Sequence, residues 1–141
     1  MKEEPPLPKF DHMKLQEQVA IQGHRIKQSV ILEDDNMQHR FVSSLVGNRS
    51  LNLVYRASVH GDDAEDYHNN CDGRTNTLTL IKAQGGNIFG GYRATPIGSD
   101  DKWVTDPHAF IFSVDQTEKY KVKPGGKFAC NNFKAYGPTF G

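Results

Sequence analysis

Residues 77–92 carry the clearest structural pattern in the chain; they read Thr-Leu-Thr-Leu-Ile-Lys-Ala-Gln-Gly-Gly-Asn-Ile-Phe-Gly-Gly-Tyr. Threonine and leucine alternate at the start, as they do in a half-buried strand rich in β-branched residues. The Gly-Gly-Asn segment in the middle is typical of a tight turn. A second apolar run then follows over residues 88–92. The stretch therefore predicts a β-hairpin.

Further short strands are predicted on both sides of this hairpin. Residues 51–56 form a mixed apolar run, and residues 109–114 are apolar enough for a central strand. Lysine alternates with apolar residues over 119–123, which predicts a strand with Tyr120 and Val122 facing inward and the lysines outward. Another strand is expected to begin at residues 128–130. Short strands separated by glycine turns indicate an antiparallel two-sheet β-sandwich, so we predict an α+β fold that is mainly β.

The segment before the sandwich is predicted to be helical. Residues 1–10 are rich in proline and charge, which favours a disordered arm. Residues 11–46 form a helical extension of one or two helices, the second running over residues 37–46 up to the Gly-Asn that ends it. The partial sandwich domain is expected to occupy residues 47–141.

Two interpretations of this helical extension are open. Its apolar residues recur at intervals of four, seven and four, a partial coiled-coil spacing, at Leu15, Val19, Ile26 and Val30. The helices either pack on their own domain or pair with another chain; the remaining alternative is that the segment is disordered. These four residues and the single tryptophan, Trp103, are the candidate interaction surface.

Composition excludes several classes of function. The 141 residues are 36% hydrophobic with a mean hydropathy of −0.65, and 17 basic residues balance 17 acidic ones. No basic surplus indicates a nucleic-acid partner, and no apolar run approaches the ~20 residues that membrane insertion requires. The N-terminus lacks the apolar stretch of a secretory signal. With two cysteines and no such signal, we predict a cytoplasmic protein, with association to the cytoskeleton or an organelle open.

Six motifs occur in order along most of the chain. They are Leu-Val-Tyr-Arg-Ala-Ser at 53–58, Tyr-His-Asn-Asn-Cys-Asp-Gly at 67–73, Thr-Leu-Thr-Leu-Ile-Lys at 77–82, Ile-Phe-Gly-Gly-Tyr at 88–92, Asp-Pro-His-Ala-Phe-Ile-Phe-Ser at 106–113 and Tyr-Gly-Pro-Thr-Phe-Gly at 136–141. Their order and spacing resemble the TLDc domain family over roughly residues 41–141. The resemblance implies two antiparallel sheets packed as a sandwich and flanked by short helices.

The resemblance also implies that the sandwich is incomplete. TLDc domains continue past the Gly-Pro-Thr-Phe-Gly segment with further strands, whereas this sequence stops there. We expect the chain to hold the N-terminal half to two-thirds of the domain. It is then a fragment of a longer chain, a naturally short protein whose sandwich another chain completes, or a degenerate copy.

No catalytic set, cofactor site or metal site is predicted. His68 and Cys71 have a spacing that suits two zinc ligands. A structural zinc site requires a second close pair of ligands, and the sequence has none. The candidate reactive thiols are Cys71 and Cys130, and either forms a catalytic pair with a histidine only if the fold brings the two side chains together. The family resemblance carries over no catalytic residue either.

Three functions therefore remain open. The first is a non-enzymatic interaction or regulatory module, since the resemblance implies oxidative-stress protection or association with the vacuolar proton-pumping ATPase (V-ATPase). The second is a structural subunit of a large cytoskeletal or ciliary assembly, with a neighbouring chain completing the sandwich. The third is a thiol-based redox protein. We expect protein partners and no nucleic acid.

Overall fold

The computed structural model describes residues 9–19, 31–32 and 36–141. The strands are β1 Lys9–Val19, β2 Arg49–Arg56, β3 Thr77–Lys82, β4 Ile88–Arg93, β5 Trp103–Val104, β6 Phe110–Ser113, β7 Glu118–Lys121 and β8 Cys130–Asn131. The helices are α1 Asn36–Leu45, α2 Ala57–His60 and α3 Ala64–Cys71. The chain is therefore α+β and mainly β, as the sequence predicted.

All strands within the described residues pair antiparallel, in two sheets. The larger sheet has six strands in the order β2-β1-β3-β4-β6-β7, and the smaller sheet pairs β5 with β8. The predicted hairpin is confirmed, because β3 pairs with β4 in a register that joins Leu80 to Gly90 and Leu78 to Tyr92. The apolar strand β6 is an inner strand, as predicted, since β4 and β7 flank it.

One face of the large sheet is buried under α1. Leu78 and Leu80 of β3 are fully buried, and they belong to one apolar cluster with Val42 of α1 and Phe112 of β6. The rings of Phe41 and Phe112 meet edge to face with centroids 6.5 Å apart. At about 25 cal/mol per Å² of apolar surface, this burial is the main term that fixes α1 on the sheet.

The small sheet lies against the opposite face. Neighbouring residues of a strand point to opposite faces, so Arg93 of β4 faces away from the α1 side, on which Tyr92 packs. The buried Arg93 guanidinium donates to the carbonyl oxygen of Asn131 at 3.3 Å and to Asn132 Oδ1 at 3.0 Å. These bonds join β8 and the residue that follows it to the large sheet.

The structure corrects the helix predicted at the N-terminus. Residues 9–19 form β1, which pairs with both β2 and β3 in the interior of the large sheet. Leu15 and Val19 therefore lie on a strand and not on a coiled-coil helix. A spacing of four residues fits either period, and the backbone hydrogen bonds to two neighbouring strands favour the strand.

The remaining N-terminal predictions have mixed outcomes. The helix predicted over residues 37–46 is confirmed by α1. Ile26 and Val30 lie outside the described residues, as do residues 1–8 of the predicted disordered arm, while Lys9 and Phe10 belong to β1. The division into an extension and a domain from residue 47 stays a prediction, although β1 shares its sheet with the strands of that domain.

Candidate functional site

Four aromatic side chains adjoin one another beside the small sheet, and we call them the aromatic surface. Trp103 is 46% exposed, Phe128 52% and Tyr136 55%, and Phe133 is partly buried between them. The ring centroids lie 5.8 Å apart for Trp103 and Phe128, 5.4 Å for Trp103 and Phe133, and 5.9 Å for Phe133 and Tyr136. Exposed aromatic groups in contact are typical of protein interfaces.

The backbone places these rings at some cost. Trp103 is fixed by the pairing of β5 with Asn131 of β8. Phe128 lies in the left-handed region with a φ of 59°. A bulky residue rarely adopts that conformation, and it costs on the order of 1–3 kcal/mol, which the surrounding structure must supply. This backbone conformation places the Phe128 ring against Trp103 at the surface.

A groove of about 470 Å³ adjoins the aromatic surface. Its walls are largely apolar and include Ile111, Tyr120, Phe128 and Phe140. Lysines surround it, and the ammonium group of Lys127 lies 5.1 Å above the centre of the Phe128 ring. The groove lies toward β7, the outer strand of the large sheet among the described residues. Tyr120 on β7 is 45% exposed, so the prediction that it faces inward is wrong.

A polar cluster lies around His68, at the end of α3. The buried His68 ring has Nδ1 2.7 Å from Asp72 Oδ1 and 3.1 Å from Ser99 Oγ. The Ser99 hydroxyl also donates to the other oxygen of Asp72. On the far side of the ring, Nε2 lies 2.8 Å from the carbonyl oxygen of Tyr136 and 3.1 Å from that of Phe133.

This cluster contains serine, histidine and aspartate but is not arranged as a nucleophilic triad. In a triad the serine contacts one ring nitrogen and the carboxylate contacts the other. Here both Ser99 and Asp72 contact Nδ1, and backbone carbonyl groups occupy the Nε2 side. No ring nitrogen is left to accept the serine proton and face a substrate. The arrangement instead joins α3 to the loop that carries Phe133 and Tyr136.

The two candidate thiols are both fully buried and unpaired. Cys71 belongs to a cluster with Tyr55 and Tyr67, whereas Cys130 packs with Ala109 and Ala129. Burial raises the pKa of Cys71 from 9.0 to about 12 and that of Cys130 to about 11. Because the thiolate is the reactive form, this environment opposes the thiol-redox hypothesis.

We expect both cysteines to resist alkylation in the folded protein. Iodoacetamide at pH 8 should modify Cys71 and Cys130 at least about a hundredfold more slowly than it does in urea, because access and ionisation are both lost. Intact mass spectrometry over time measures this rate. Raised folded pKa values mean that these thiols favour the folded state below pH 9, an advantage that declines as the pH rises toward 12. Rapid modification of either thiol without denaturant would contradict this prediction.

The remaining sequence-predicted residues are spread over the fold. Trp103 is exposed and central to the aromatic surface, whereas Leu15 and Val19 belong to β1. Within the described part of the chain, no group of three or more histidine, cysteine, aspartate or glutamate side chains is placed to hold a metal ion. No helix within residues 36–141 is long and apolar enough to cross a membrane.

Comparison with known proteins gives one match. The sequence profile of the TLDc domain matches residues 26–141, which is most of the chain. The match begins about fifteen residues before the first residue of the resemblance carried by the six motifs. Neither a curated protein nor a solved structure matches the chain.

Proposed function

Because the chain belongs to the TLDc domain family, we propose that it is a non-enzymatic protein-interaction module that binds its partner through the aromatic surface. By family resemblance, the partner is the vacuolar proton-pumping ATPase and the process served is protection against oxidative stress. The observation that carries the proposal is the exposed group of contacting rings at Trp103, Phe128 and Tyr136.

The chemistry of these rings supports a binding role. Tryptophan and tyrosine are enriched among the residues that dominate binding energy, and each buries a large area with few rotatable bonds. The backbone strain at Phe128 supports the same role, because strained backbone positions cluster at binding and active sites. Lys127 beside the ring adds a positive charge that a carboxylate of the partner can pair with.

The buried thiols and the His68 cluster support a role without catalysis. Neither cysteine reaches solvent, and the His68 ring nitrogens are occupied by structural contacts. Two unpaired cysteines also fit a reducing compartment, which supports our proposal of a cytoplasmic location. The structural-subunit alternative has less support, because lysines on β7 at positions 119 and 121 are typical of edge strands that resist pairing with another chain.

Replacing Phe128 should separate binding from stability. Asparagine tolerates a positive φ far better than phenylalanine does, so Phe128→Asn should leave the free energy of unfolding within about 1 kcal/mol of wild type. Removal of the ring should weaken binding to purified ATPase by at least about thirtyfold, the effect of a loss of ~2 kcal/mol at a dominant interface residue. Trp103→Ala should weaken binding similarly. Surface plasmon resonance measures the binding, and urea denaturation the stability.

The matched control is Met37→Ala on α1. Met37 is 72% exposed, so its truncation also removes a large apolar surface group. It lies on α1, which packs on the face of the large sheet opposite the small sheet and the aromatic surface. We expect binding of this variant within about twofold of wild type, as for most surface positions outside an interface. The proposal fails if the Met37 and Phe128 variants bind alike, or if wild-type protein binds no ATPase.

A further inference from the structure

The large sheet leaves an apolar strip open on the face that carries the small sheet. Phe112 packs under α1, so its neighbour Ile111 points to the other face, where it pairs with Gly91 of β4 and Tyr120 of β7. The Phe140 ring covers Gly91, because a β carbon added there would lie 2.5 Å from Cε2 of that ring. Within the described residues the rest of the strip stays open, since Ile111 is 48% exposed and Tyr120 45%. This strip is the floor of the groove beside the aromatic surface.

The charge that borders this groove has one sign. Its charged lining residues in the described part of the chain are Lys121, Lys123 and Lys127, all three exposed. The ammonium group of Lys127 lies 5.1 Å from the centre of the Phe128 ring, which forms one wall. Glu118, at the start of β7, does not line the groove, and its carboxylate accepts a hydrogen bond from the Tyr120 hydroxyl. An apolar floor bordered by cations favours a ligand that carries both apolar groups and carboxylates.

A second copy of this chain suits the groove poorly. In a symmetric pair joined there, each copy would bring its three groove lysines against those of the other, and like charges across an interface oppose association. The chain has no acidic surplus to offset this, because 17 basic residues balance 17 acidic ones. The lysines that make β7 a poor edge for neutral or basic strands attract an acidic one. The negative charge is therefore expected to come from another protein.

We propose that the groove is the docking site for an extended acidic segment of a partner protein. Apolar side chains of the segment lie on Ile111 and Tyr120, and its carboxylates face the groove lysines. The groove volume of about 470 Å³ lies within the ~300–1,000 Å³ typical of ligand pockets, so it suits a few side chains of a peptide. Phe128 belongs to both the groove and the aromatic surface. That one partner occupies both rests on the proposed function; the preference for an acidic segment does not.

Fluorescence anisotropy with a labelled peptide tests the groove without the ATPase. The probe is a decapeptide with glutamate at every second position and leucine or serine between, and the comparison peptide has glutamine in place of each glutamate. We expect the full chain to bind the acidic peptide at least about tenfold more tightly at ~50 mM salt, and to lose most of that preference at ~500 mM, where charges are screened. Equal binding of both peptides, or no binding of the acidic one, would overturn the proposal.

Charge reversal locates the bound peptide on the chain. Lys123→Glu and Lys127→Glu should each weaken binding of the acidic peptide at least about fivefold. Arg40→Glu is the matched control, because it makes the same change in net charge at an exposed residue of α1, on the other face of the large sheet. We expect its affinity within about twofold of wild type. Equal weakening in all three variants would mean attraction by net charge alone and would contradict a site in the groove.

Ile111→Thr tests the apolar floor. Threonine keeps the β-branched shape that suits β6 but removes apolar surface, so the variant should bind the acidic peptide at least about threefold more weakly. Circular dichroism checks its fold, and the exposed lysine variants carry the test if it unfolds. Unchanged affinity in a folded variant would overturn the proposed floor. Sedimentation of wild-type protein should show no dimer that Ile111→Thr dissociates, since such a dimer would place a second copy in the groove.

Binding to purified ATPase tests the link to the proposed function separately. If one partner occupies both surfaces, the acidic peptide should compete with the ATPase, and Lys123→Glu should weaken ATPase binding at least about fivefold. Peptide binding in the groove that leaves ATPase binding unchanged would refute the shared partner and leave the groove assignment standing. Absence of any ATPase binding would refute the proposed function without bearing on the peptide result.

Discussion

Replacing Gly90 with alanine is expected to cost the protein about 3 kcal/mol or more of its free energy of unfolding. A β carbon at this position would lie 1.8 Å from the carbonyl oxygen of Thr79 and 2.9 Å from Cζ of Phe112. Real β carbons do not approach other atoms within 3.0 Å, and the closer of these two atoms is backbone. Strands β3 and β4 must therefore separate, which weakens both the hairpin and the apolar cluster under α1.

Urea denaturation followed by circular dichroism measures this loss. Gly137→Ala is the matched control, because its β carbon would meet no atom within 4 Å and the backbone there has no positive φ. We expect the control to stay within about 0.5 kcal/mol of wild type. Equal unfolding free energies for the Gly90 and Gly137 variants would show that the two strands do not approach each other as closely as the structure has them.

Replacing Asp106 with alanine should have a comparable effect for a different reason. The Asp106 carboxylate is fully buried and accepts four hydrogen bonds, from the N–H groups of Ala94 at 2.7 Å, Thr95 at 3.0 Å and His108 at 3.0 Å and from the Thr95 hydroxyl at 3.1 Å. Each buried donor left without a partner costs about 1–3 kcal/mol. Because some donors will reach water, we expect a total loss of about 3–5 kcal/mol.

Thermal and urea unfolding of Asp106→Ala measure the loss. Asp106→Asn should lose less than the alanine variant, because its side-chain oxygen still accepts from part of the set. Asp100→Ala removes a carboxylate that is exposed, and it should change the free energy of unfolding by less than about 0.5 kcal/mol. If the Asp106 and Asp100 variants unfold alike, Asp106 does not hold the segment from β4 to β6 together.

The features that the sequence predicts well are those decided by local pattern. Threonine and leucine alternate over residues 77–80 and a glycine turn follows, so both strands of the hairpin and their direction can be read from neighbouring residues. The helix over residues 36–45 is likewise local, because Phe41 and Leu45 share a face and Gly47 follows its end. The order and spacing of the six motifs also indicated the TLDc domain family.

β1 shows where local pattern fails. The spacing of Leu15 and Val19 fits a helix as well as a strand, and nothing within residues 9–19 indicates which is right. The pairing partners of β1 lie about forty and seventy residues further along the chain. The prediction for Tyr120 was wrong for a related reason. Alternation predicts which residues of a strand share a face, but not whether another element covers that face.

Only part of the candidate site was predictable. Trp103 stood out as the single tryptophan, but its contacts with Phe128 and Phe133 depend on how β5 and β8 pair. The left-handed backbone at Phe128 has no signal in its own residue type. His68 and Asp72 are four residues apart, a spacing that brings side chains together at a helix end, whereas the carbonyl groups beyond residue 132 had no such signal.

The claim that the aromatic surface is the binding surface is tested most directly by covalent footprinting of the free and ATPase-bound chain. Hydroxyl radicals modify exposed side chains, and mass spectrometry locates each modification. We predict that binding protects Trp103, Phe128 and Tyr136 at least about fivefold while Met37 stays as reactive as in the free chain. Protection of Met37 with unchanged reactivity at the three aromatic residues would contradict the account.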